Sequence, residues 1–337
     1  MYNLITIGDA VMDTHVLIDN AALECDLRHE HCKLCLDYAS KIPVTDSFQS
    51  LGGNAANVAA GASKLGLSTA IMTSVGKDSN GQFLRQELKK FNVDTRLMNI
   101  DPEVKTRYSI ILNFKGERTV LSYHERRKYF WPKPETPTEW IYYTSLSRGF
   151  EDFQAKLFNF LEKHPSVRLA FNPGSFQIKF ALNEVREAVE KADLLIVNLE
   201  EAEAITGTTL TQEKSVPAII HKLLQMGSKE VAITDAGRGA WAGNHEEIWH
   251  LDSFPVEVVA KTGAGDAFSS GYIAAKICSH DIPTALSWGV ANSCGVIAKI
   301  GAQAGLLDKK GVKKMIAKFA TIKPTIISPF VTQIIQI

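Results

Sequence analysis

The sequence predicts an α/β fold: a doubly wound, mainly parallel sheet flanked by helices, with a small antiparallel β lid. Three observations support this prediction. Along most of the 337 residues, short apolar runs alternate with segments of helical periodicity, which is typical of parallel strands joined by helices. Two segments interrupt the alternation with strand-like pieces that have no helix between them. From about residue 263 onward the apolar pattern is helical.

The main domain is predicted to comprise residues 1–13, 51–102 and 126–337. Short apolar runs predict its strands at LITIG (4–8), STAIMTSV (68–75), EWIYYTS (139–145), RLAFN (168–172), DLLIVN (193–198) and KEVAIT (229–234). Helical spacing predicts helices between these strands and over 264–278, 284–300 and 311–320. Ser79 and Gln82 form a capping box that predicts the start of one helix.

Residues 14–50 and 103–125 are predicted to form the β lid. Within the second segment, TRYSIILNF and RTVLSY are separated by KGE, which is a good hairpin turn. Ligands of open α/β sheets bind at the carboxyl ends of the strands, so a sheet projecting there would cover the ligand. The free edges of such a sheet often pair between subunits, which makes a homodimer through the lid possible.

Composition and charge exclude several functional classes. Basic and acidic residues number 37 each, so no net charge would attract nucleic acid or an anionic membrane. No apolar run approaches the roughly 20 residues of a membrane span. The N-terminus, MYNLITIGDAVMD, is expected to be a first strand and not a signal peptide, because it lacks a basic leader and a long apolar run. We therefore expect a cytoplasmic protein with no nucleic-acid or membrane partner.

The stretch KTGAGDAFSSG (261–271) places glycines and an aspartate just before an apolar helix. The first turn of a helix has unpaired N–H groups and a partial positive charge, and glycines let an anion approach them. We expect Asp266, in that turn, to be ionised at neutral pH and able only to accept a proton. A proton acceptor beside an anion-binding loop suits phosphoryl transfer to a hydroxyl group. An ordinary helix cap is the alternative, and the P-loop and dinucleotide fingerprints are absent.

Two motifs carry a resemblance to a known family. TGAGDAFSSGYIAA (262–275) resembles the C-terminal signature of the ribokinase-like (PfkB) carbohydrate kinases, and GGNAANVAAGASKLG (52–66) resembles their N-terminal signature. The resemblance implies ATP-dependent phosphorylation of a hydroxyl of a small sugar of the ribose or fructose type. It also implies that Asp266 is the general base and that the amides of Gly263, Ala264 and Gly265 form the anion hole.

The same resemblance implies a sugar site. An early aspartate of the family binds sugar hydroxyls, and GDAVMD places Asp13 in that position. Gly52 and Gly53 are expected to let the backbone approach the substrate, and Asn54 and Asn57 to contact the sugar. Alternatively, Asp13 is a turn residue and Asn54 caps the following helix.

ATP and Mg²⁺ are the cofactors that the resemblance implies. Asn198 and Glu201 match the family's N-x-x-E motif, which organises Mg²⁺ and phosphates, usually through water. In the nucleotide loop Ala236 occupies the family's first glycine position, and Gly237 would supply the conformational freedom one residue later. The nucleotide is expected to contact Asn198 and further residues along the second half of the chain: Thr234, Gly237, Gly239, Lys261 and Asn292. For Asn292, a place on the surface of a helix is the alternative.

A second departure from the family pattern concerns a monovalent cation. Many members read D-T-x-G-A-G-D, where the first aspartate helps to ligate potassium. This chain has Ala260 in that position, followed by Lys261. We therefore expect activity to depend little on potassium, with Lys261 partly replacing its charge, and a large specific activation by potassium over sodium would contradict this. Alternatively, Lys261 simply faces solvent.

A cluster of cysteines and histidines, CDLRHEHCKLC (25–35), lies in the first lid segment. Cys32 and Cys35 have a spacing found in zinc sites, and Cys25 with His29 or His31 would complete the ligand set. Alternatively, Cys35 is a small apolar residue of a lid strand.

Other functions remain open from the sequence. Nucleoside kinases of the same family have related glycine–asparagine stretches, and Tyr108 or Tyr123 would then stack on a base or merely pack the lid. Arg107 and Arg118 would meet a phosphorylated sugar or face solvent. The departures in the nucleotide loop and the cation site raise a further alternative, a catalytically weak sugar- or nucleotide-binding regulatory protein.

Overall fold

The computed structural model describes residues 1–26, 32–123, 127–132, 136–213 and 215–329. Its strands, in chain order, are β1 (Tyr2–Ile7), β2 (Val11–Leu17), β3 (Ala22–Cys25), β4 (Cys32–Cys35), β5 (Asp46–Gly52), β6 (Thr69–Met72), β7 (Ser74–Gly76), β8 (Asn99–Asp101), β9 (Tyr108–Phe114), β10 (Glu117–Tyr123), β11 (Thr138–Tyr143), β12 (Arg168–Phe171), β13 (Leu194–Asn198), β14 (Val231–Thr234), β15 (Ala240–Gly243), β16 (Glu247–Leu251) and β17 (Thr325–Pro329). Its helices are α1 (Asn54–Lys64), α2 (Ser79–Lys90), α3 (Glu151–Lys163), α4 (Ser175–Phe180), α5 (Leu182–Lys191), α6 (Leu199–Thr206), α7 (Leu210–Glu213), α8 (Val216–Gln225), α9 (Ala264–Ile277), α10 (Ile282–Ile297) and α11 (Lys309–Lys318). Within these described ranges, no helix has the length and apolarity needed to cross a membrane.

The main sheet has nine strands in the order β17-β16-β15-β14-β13-β12-β11-β1-β6. From β6 to β14 the neighbouring strands are parallel, and β15, β16 and β17 extend the β14 edge as antiparallel strands. The predicted doubly wound, mainly parallel sheet is thus confirmed. The sequence did not predict β15 and β16, because both are short and follow a glycine-rich turn with no helix between them.

Alternate side chains of the strands pack into two hydrophobic clusters, one on each face of the main sheet. On β1, Leu4 joins the cluster that contains residues of α1, α9, α10 and α11, whereas Ile5 joins the cluster that contains residues of α3, α5, α6 and α8. Both side chains are buried. Burial on both faces explains why these strands are near-continuous apolar runs in the sequence.

The second sheet, called the lid sheet below, has four strands in the order β10-β9-β2-β5. β2 pairs antiparallel with β5 and parallel with β9, and β9 and β10 form a hairpin. The hairpin turns at Lys115 and Gly116, whose φ angles are 50° and 83°. Positive φ at both positions is typical of the tight turns that join twisted strands. β2 begins at Val11 and β5 ends at Gly52, so both strands run slightly beyond the predicted lid boundaries at residues 14 and 50.

The cysteines of the first lid segment form a disulfide-linked hairpin. Cys25 on β3 lies opposite Cys32 on β4, and the two sulfurs are bonded to each other. Sulfurs joined in a disulfide are not available as thiolate ligands, so the zinc hypothesis does not hold for this form of the chain, and the alternative of Cys35 as a lid-strand residue fits its place on β4. Cys35 is a free thiol on β4, and His29 and His31 lie outside the described residues. Among the described residues, no cluster of histidine, cysteine and carboxylate side chains is suited to a metal.

Candidate active site

The residues predicted to bind substrate meet at the carboxyl ends of the main-sheet strands, next to the lid sheet. β13 ends at Asn198 and β14 at Thr234. Helix α1 begins directly after β5 of the lid sheet, and a side-chain hydrogen bond joins α1 to the first turn of α9. This is the edge at which open parallel sheets bind their ligands.

Asp266 lies in the first turn of α9 and is only partly exposed. The N-cap of this helix is Gly263, which adopts a left-handed φ of 78°. A Cβ at this glycine would lie 2.5 Å from the Cβ of Ala302, so a larger residue would displace the turn. The glycine therefore positions both the amides of the loop and the carboxyl group that follows.

The pKa of Asp266 is raised to about 7, principally because the carboxyl is buried. A hydrogen bond from Asn57 lowers the pKa, and the nearby charge of Asp13 raises it. The expectation that Asp266 is fully ionised at neutral pH is therefore wrong: burial outweighs the favourable field of the helix N-terminus. A carboxyl that titrates near neutrality is well matched to general-base catalysis.

Asn57 holds the carboxyl of Asp266 in place. Its Nδ2 donates to Oδ2 of Asp266 at 2.7 Å, and its Oδ1 accepts a hydrogen bond from Gln303. Gln303 also donates to the carbonyl oxygen of Leu51 at 2.8 Å. The side chain of Asn57 is buried and turned towards the aspartate, so its observed role is to orient that group. The sequence analysis missed Gln303, which lies in an irregular loop far along the chain.

Asp13 lies on β2 of the lid sheet, close to Asp266. Burial raises its pKa to about 6, while a hydrogen bond from Ser109 and the charge of Arg118 lower it. A Cβ at Gly52 would lie 2.1 Å from Oδ2 of Asp13, so this glycine leaves the carboxylate the space that it occupies. The observed place of Asp13 is in a strand, which removes the alternative that it is a turn residue.

Gly53 and Asn54 begin helix α1. Gly53 is the N-cap, with a φ of 90°, and a Cβ there would lie 2.4 Å from the carbonyl oxygen of Asp9. Asn54 is consequently the first helical residue and does not cap the helix with its side chain. Its Oδ1 is 3.5 Å from Oγ of Ser145, and it lines a cavity at the strand ends. Asn54 is therefore placed to contact a ligand.

Asn198 and Glu201 form a reciprocal cap at the start of α6. The N–H of Asn198 donates to Oε2 of Glu201 at 2.9 Å, and the N–H of Glu201 donates to Oδ1 of Asn198 at 2.8 Å. Burial raises the pKa of Glu201 to about 7; the hydrogen bond from Asn198 lowers it, and the charges of Asp266 and Glu200 raise it. Glu201 therefore offers a single carboxyl of the kind that Mg²⁺ accepts as an oxygen ligand, and Mg²⁺ completes its coordination with several waters.

The nucleotide loop follows β14 and differs from the prediction. Ala236 itself adopts a left-handed φ of 45°, whereas Gly237 does not have a positive φ and faces open space. The prediction that Gly237 supplies the conformational freedom of this loop is therefore wrong. Gly239 has a φ of 86°, and a Cβ there would lie 2.0 Å from the carbonyl oxygen of Leu251. Gly239 is thus required where it was predicted, and Ala236 is held in a strained conformation.

A cavity of about 110 Å³ joins the nucleotide loop to the loop before α9. Its lining comes from both loops and from α10: Thr234, Ala236, Gly239, Ser253, Ala264, Gly265, Phe268, Ser293 and Cys294. Thr234 and Gly239 are therefore brought onto one surface with Ala264 and Gly265 of the predicted anion hole, whereas Asn198, Gly237 and Gly263 are not among its described lining residues.

Asn292 does not belong to that surface. Its side chain has no exposed area; it donates to the carbonyl oxygen of Ala267 at 2.9 Å and to Oγ of Ser270 at 3.0 Å. It also accepts from the N–H of Leu307 at 2.9 Å. The prediction of a nucleotide contact, and the alternative of a surface asparagine, are both wrong, because this face of α10 packs against α9. The neighbouring Ser293 lines the cavity instead.

Lys261 is exposed and directed towards the lid sheet. Its ammonium lies 3.6 Å from a carboxylate oxygen of Glu117 in the β9–β10 hairpin. This arrangement agrees better with the solvent-facing alternative than with a charge beside the anion hole.

Arg107 neither faces solvent nor lies free to meet a phosphorylated sugar, which were the two alternatives from the sequence. Its side chain is 1% exposed and forms an ion pair with Asp9, which is itself only 12% exposed. The guanidinium also donates to the hydroxyl of Tyr129 at 3.0 Å and to Oγ of Ser147. Neither Asp9 nor Ser147 was singled out in the sequence, although Asp9 directly follows the first strand, where ligand-binding residues concentrate.

Comparison with known proteins places the chain among sugar and nucleoside kinases. The family described as pfkB family carbohydrate kinase matches residues 12–310. An ATP-dependent 6-phosphofructokinase of Thermoanaerobacterium thermosaccharolyticum is 23% identical over 93% of this chain and 94% of its own length. A nucleoside kinase of Methanothermobacter thermautotrophicus is 24% identical over 81% of this chain and 87% of its own. The structure of an Arabidopsis thaliana ribokinase complexed with ribose and ATP superimposes with a TM-score of 0.77 at 18% identity, covering 94% of this chain and 98% of the ribokinase.

Proposed function

Because the chain belongs to the PfkB family of carbohydrate kinases, which are phosphotransferases, we propose that it phosphorylates a hydroxyl of a small sugar of the ribose or fructose type, using ATP. The observation that supports this most directly is the carboxyl of Asp266, held by Asn57 beside the amides that precede α9. A neutral hydroxyl and a triphosphate are the reactants that such a pair of groups can bring together.

In the proposed reaction, the ionised carboxylate of Asp266 accepts the proton of the sugar hydroxyl. The hydroxyl oxygen forms a bond to the γ-phosphorus, and the bond between that phosphorus and the bridging oxygen of the β-phosphate breaks, which releases ADP. The amides of Gly263, Ala264 and Gly265 stabilise the negative charge of the transferring group. Asp13 and Asn54 hold the other hydroxyls of the sugar, since carboxylate and amide oxygens accept their hydrogen bonds.

Glu201 is the residue that would hold Mg²⁺, mainly through water, with Asn198 fixing the orientation of its carboxyl. When bound, the ion neutralises charge on the phosphates of ATP. Thr234, Gly239 and the residues of α10 that line the nucleotide cavity form the surface proposed for ATP.

A sugar is favoured over a nucleoside by the aromatic residues of the lid sheet. Tyr108 and Tyr123 stack on each other, with ring centroids 5.2 Å apart and an angle of 22° between the rings. Because each ring covers a face of the other, the pair packs the lid sheet and is poorly placed to stack on a base. We retain nucleoside phosphorylation and a homodimer through the lid edges as secondary proposals.

The test is an assay of ADP release with D-ribose, D-fructose and adenosine, in wild type and in Asp266→Asn. We expect a sugar to give the highest kcat/KM, and the variant to lose on the order of 10²–10⁴-fold, the usual contribution of a general base. ADP release that is equal in the variant, or absent with every acceptor, would overturn the proposal and favour the regulatory alternative.

A further inference from the structure

A cavity of about 520 Å³ lies at the carboxyl ends of the main-sheet strands, beside the candidate active site. It shares Asn54 and Glu201 with that site. A sugar whose reacting hydroxyl lies at Asp266 would therefore extend its remaining atoms into this cavity. The polar lining beyond the shared residues is Asp9, Ser145, Ser147, Arg148 and Ser175.

The charge that faces this cavity is determined by one buried ion pair. Asp9 lines the cavity, whereas Arg107, its partner, is 1% exposed and is not among the described lining residues. The guanidinium is further held by Tyr129 and Ser147, so it cannot easily turn towards a ligand. Arg148 contributes a cation to the lining, but its side chain is exposed. The carboxyl groups of Asp9 and Glu201 thus face the cavity, whereas the guanidinium of Arg107 lies behind Asp9 and is already paired with it.

We propose that the Asp9–Arg107 ion pair makes the acceptor site selective for uncharged sugars over sugar phosphates. The carboxyl groups that face the cavity accept hydrogen bonds from sugar hydroxyls. A phosphate ester carries between one and two negative charges near neutral pH and needs a free cation, which Arg107 does not supply while Asp9 neutralises it. This inference rests on the proposed function. It states which residues of the acceptor site distinguish one class of sugar from another.

The choice between a free sugar and a sugar phosphate matters because the names of the related proteins point to different acceptors. The name of the Thermoanaerobacterium relative specifies a sugar phosphate, whereas the Arabidopsis ribokinase was solved with unphosphorylated ribose. Identity to both is below 25%, so the choice between them falls to the chain's own residues.

A second cavity, of about 510 Å³, has cations in its lining, and one of them, Arg118, is close enough to Asp13 to lower the pKa of that carboxyl. It is formed between the lid hairpin and the segment before the anion hole, and Lys115, Arg118 and Lys261 line it together with Asp19 and Glu117. Of the residues predicted for the active site it includes only Lys261. The phosphate group of a sugar phosphate bound there would rely on Arg118. The variant Arg118→Ala therefore tests this second cavity separately.

The experiment compares kcat/KM for D-fructose and D-fructose 6-phosphate in wild type, Asp9→Asn, Arg118→Ala and the double variant Asp9→Asn/Arg107→Gln. We expect wild type to prefer D-fructose. Asp9→Asn leaves the buried guanidinium unneutralised, so it attracts the phosphate group and the ratio should shift towards the phosphate ester by about tenfold or more. The double variant removes both charges and should return the ratio towards that of wild type. Arg118→Ala should leave it unchanged.

A wild-type preference for the 6-phosphate would overturn the proposal, as would an unchanged ratio in a folded Asp9→Asn protein or a ratio that depends on Arg118 alone. If thermal unfolding shows that Asp9→Asn is not folded, competition decides: fructose 6-phosphate that inhibits wild type below the KM of fructose contradicts the proposal, and weaker inhibition supports it. If no acceptor is phosphorylated, the proposed function fails, yet calorimetric binding of the two fructose compounds still tests the selectivity separately.

Discussion

At the scale of the residue, the proposed chemistry depends on one proton at Asp266. Asn57 donates to the carboxylate form, and Gln303 fixes Asn57 from the other side. The base is therefore oriented by amides from α1 and from the loop before α11, elements that are far apart in sequence. The pKa of Asp266 therefore depends on how its neighbours pack. The pH dependence of the reaction can be used to test this contact.

We predict that Asn57→Ala shifts the rising limb of the pH–rate profile to higher pH. Only the ionised form of Asp266 accepts a proton, so the rate should rise through the pKa of about 7 in wild type. The hydrogen bond from Asn57 lowers this pKa, and its removal should raise the midpoint by about one pH unit. The measurement is kcat/KM against pH from 5 to 9, which reports the pKa of the ligand-free protein. Asn159→Ala, on the exposed face of α3, is the matched control, and equal midpoints in both variants would contradict the assignment.

We predict that Asp266→Asn stabilises the fold at high pH. The folded-state pKa is raised from 3.8 to about 7, so the carboxyl binds its proton more tightly in the folded chain than in the unfolded chain. Its contribution to stability is fully present below the unfolded pKa and is lost as pH rises through the folded pKa. At pH 8 the neutral asparagine avoids this loss, on the order of 2–4 kcal/mol. Urea unfolding at pH 5 and pH 8 measures it, and a gain that is equal at both pH values would exclude a titrating carboxyl.

At the scale of the element, the turn after β14 contains two residues with positive φ: Gly239, which adopts it easily, and Ala236, which is strained. Ala236 and Gly239 both have positive φ, but only the glycine adopts it without steric strain. The strain is maintained by the antiparallel pairing of β14 with β15, which closes the turn. The departure from the family's glycine pattern is therefore expected to affect the energy of the loop.

We predict that Ala236→Gly stabilises the protein by about 0.5–1 kcal/mol, because relief of the left-handed alanine outweighs the entropy that glycine adds to the unfolded chain. Gly239→Ala should destabilise it strongly, since the new Cβ meets the carbonyl oxygen of Leu251 at 2.0 Å. Gly237→Ala is the control, with open space and an ordinary φ. Midpoints of urea unfolding compare the three variants; a destabilised Ala236→Gly protein would refute the claim of strain.

The packing of α10 on α9 separates a structural asparagine from a nucleotide-facing serine. We predict that Asn292→Ala lowers the free energy of unfolding by about 1–3 kcal/mol, because it leaves the N–H of Leu307 without its partner and Ser270 as the remaining side-chain donor to the carbonyl of Ala267. The KM for ATP should change little. Ser293→Ala should do the reverse, with a changed KM and nearly unchanged stability. A large rise in the KM for ATP in a stable Asn292→Ala protein would restore the original interpretation of this residue.

At the scale of the whole molecule, the lid sheet is an extension joined to the main domain at the candidate active site. Asp13 and Gly52 are at its base, and Lys261 and Glu117 form an exposed ion pair near its hairpin. Exposed ion pairs contribute little, so this contact leaves the lid sheet free to close over a ligand. Closure would exclude water from the transferring phosphoryl group.

We predict that bound acceptor and a non-hydrolysable ATP analogue slow hydrogen exchange in β2, β5, β9 and β10. Each ligand alone should have a smaller effect, because a lid contacts both only when it is closed. The antiparallel strands β16 and β17, at the far edge of the main sheet, provide an internal control whose exchange should not change. Protection restricted to the main domain would mean that the lid sheet does not close.

The sequence was sufficient to predict the fold class and most of the candidate site. Strand and helix periodicity is local, so the doubly wound sheet and the lid hairpin could be derived from it. The glycines at 53, 239 and 263 could also be predicted, because each has a backbone conformation that favours glycine. The short antiparallel strands β15 and β16 could not, since their pairing depends on a neighbour that no local pattern specifies.

What the sequence by itself determined was the set of residue types that phosphoryl transfer needs and the elements that carry them. Only the tertiary structure decided which of those residues meet: that Asn57 binds Asp266, that Asn292 is buried, and that Arg107 is neutralised by Asp9. It also decided the protonation of Asp266, which its position at a helix start alone had predicted incorrectly. The physical reason is that burial and pairing are properties of surfaces brought together from distant parts of the chain, whereas a motif records only its own neighbours.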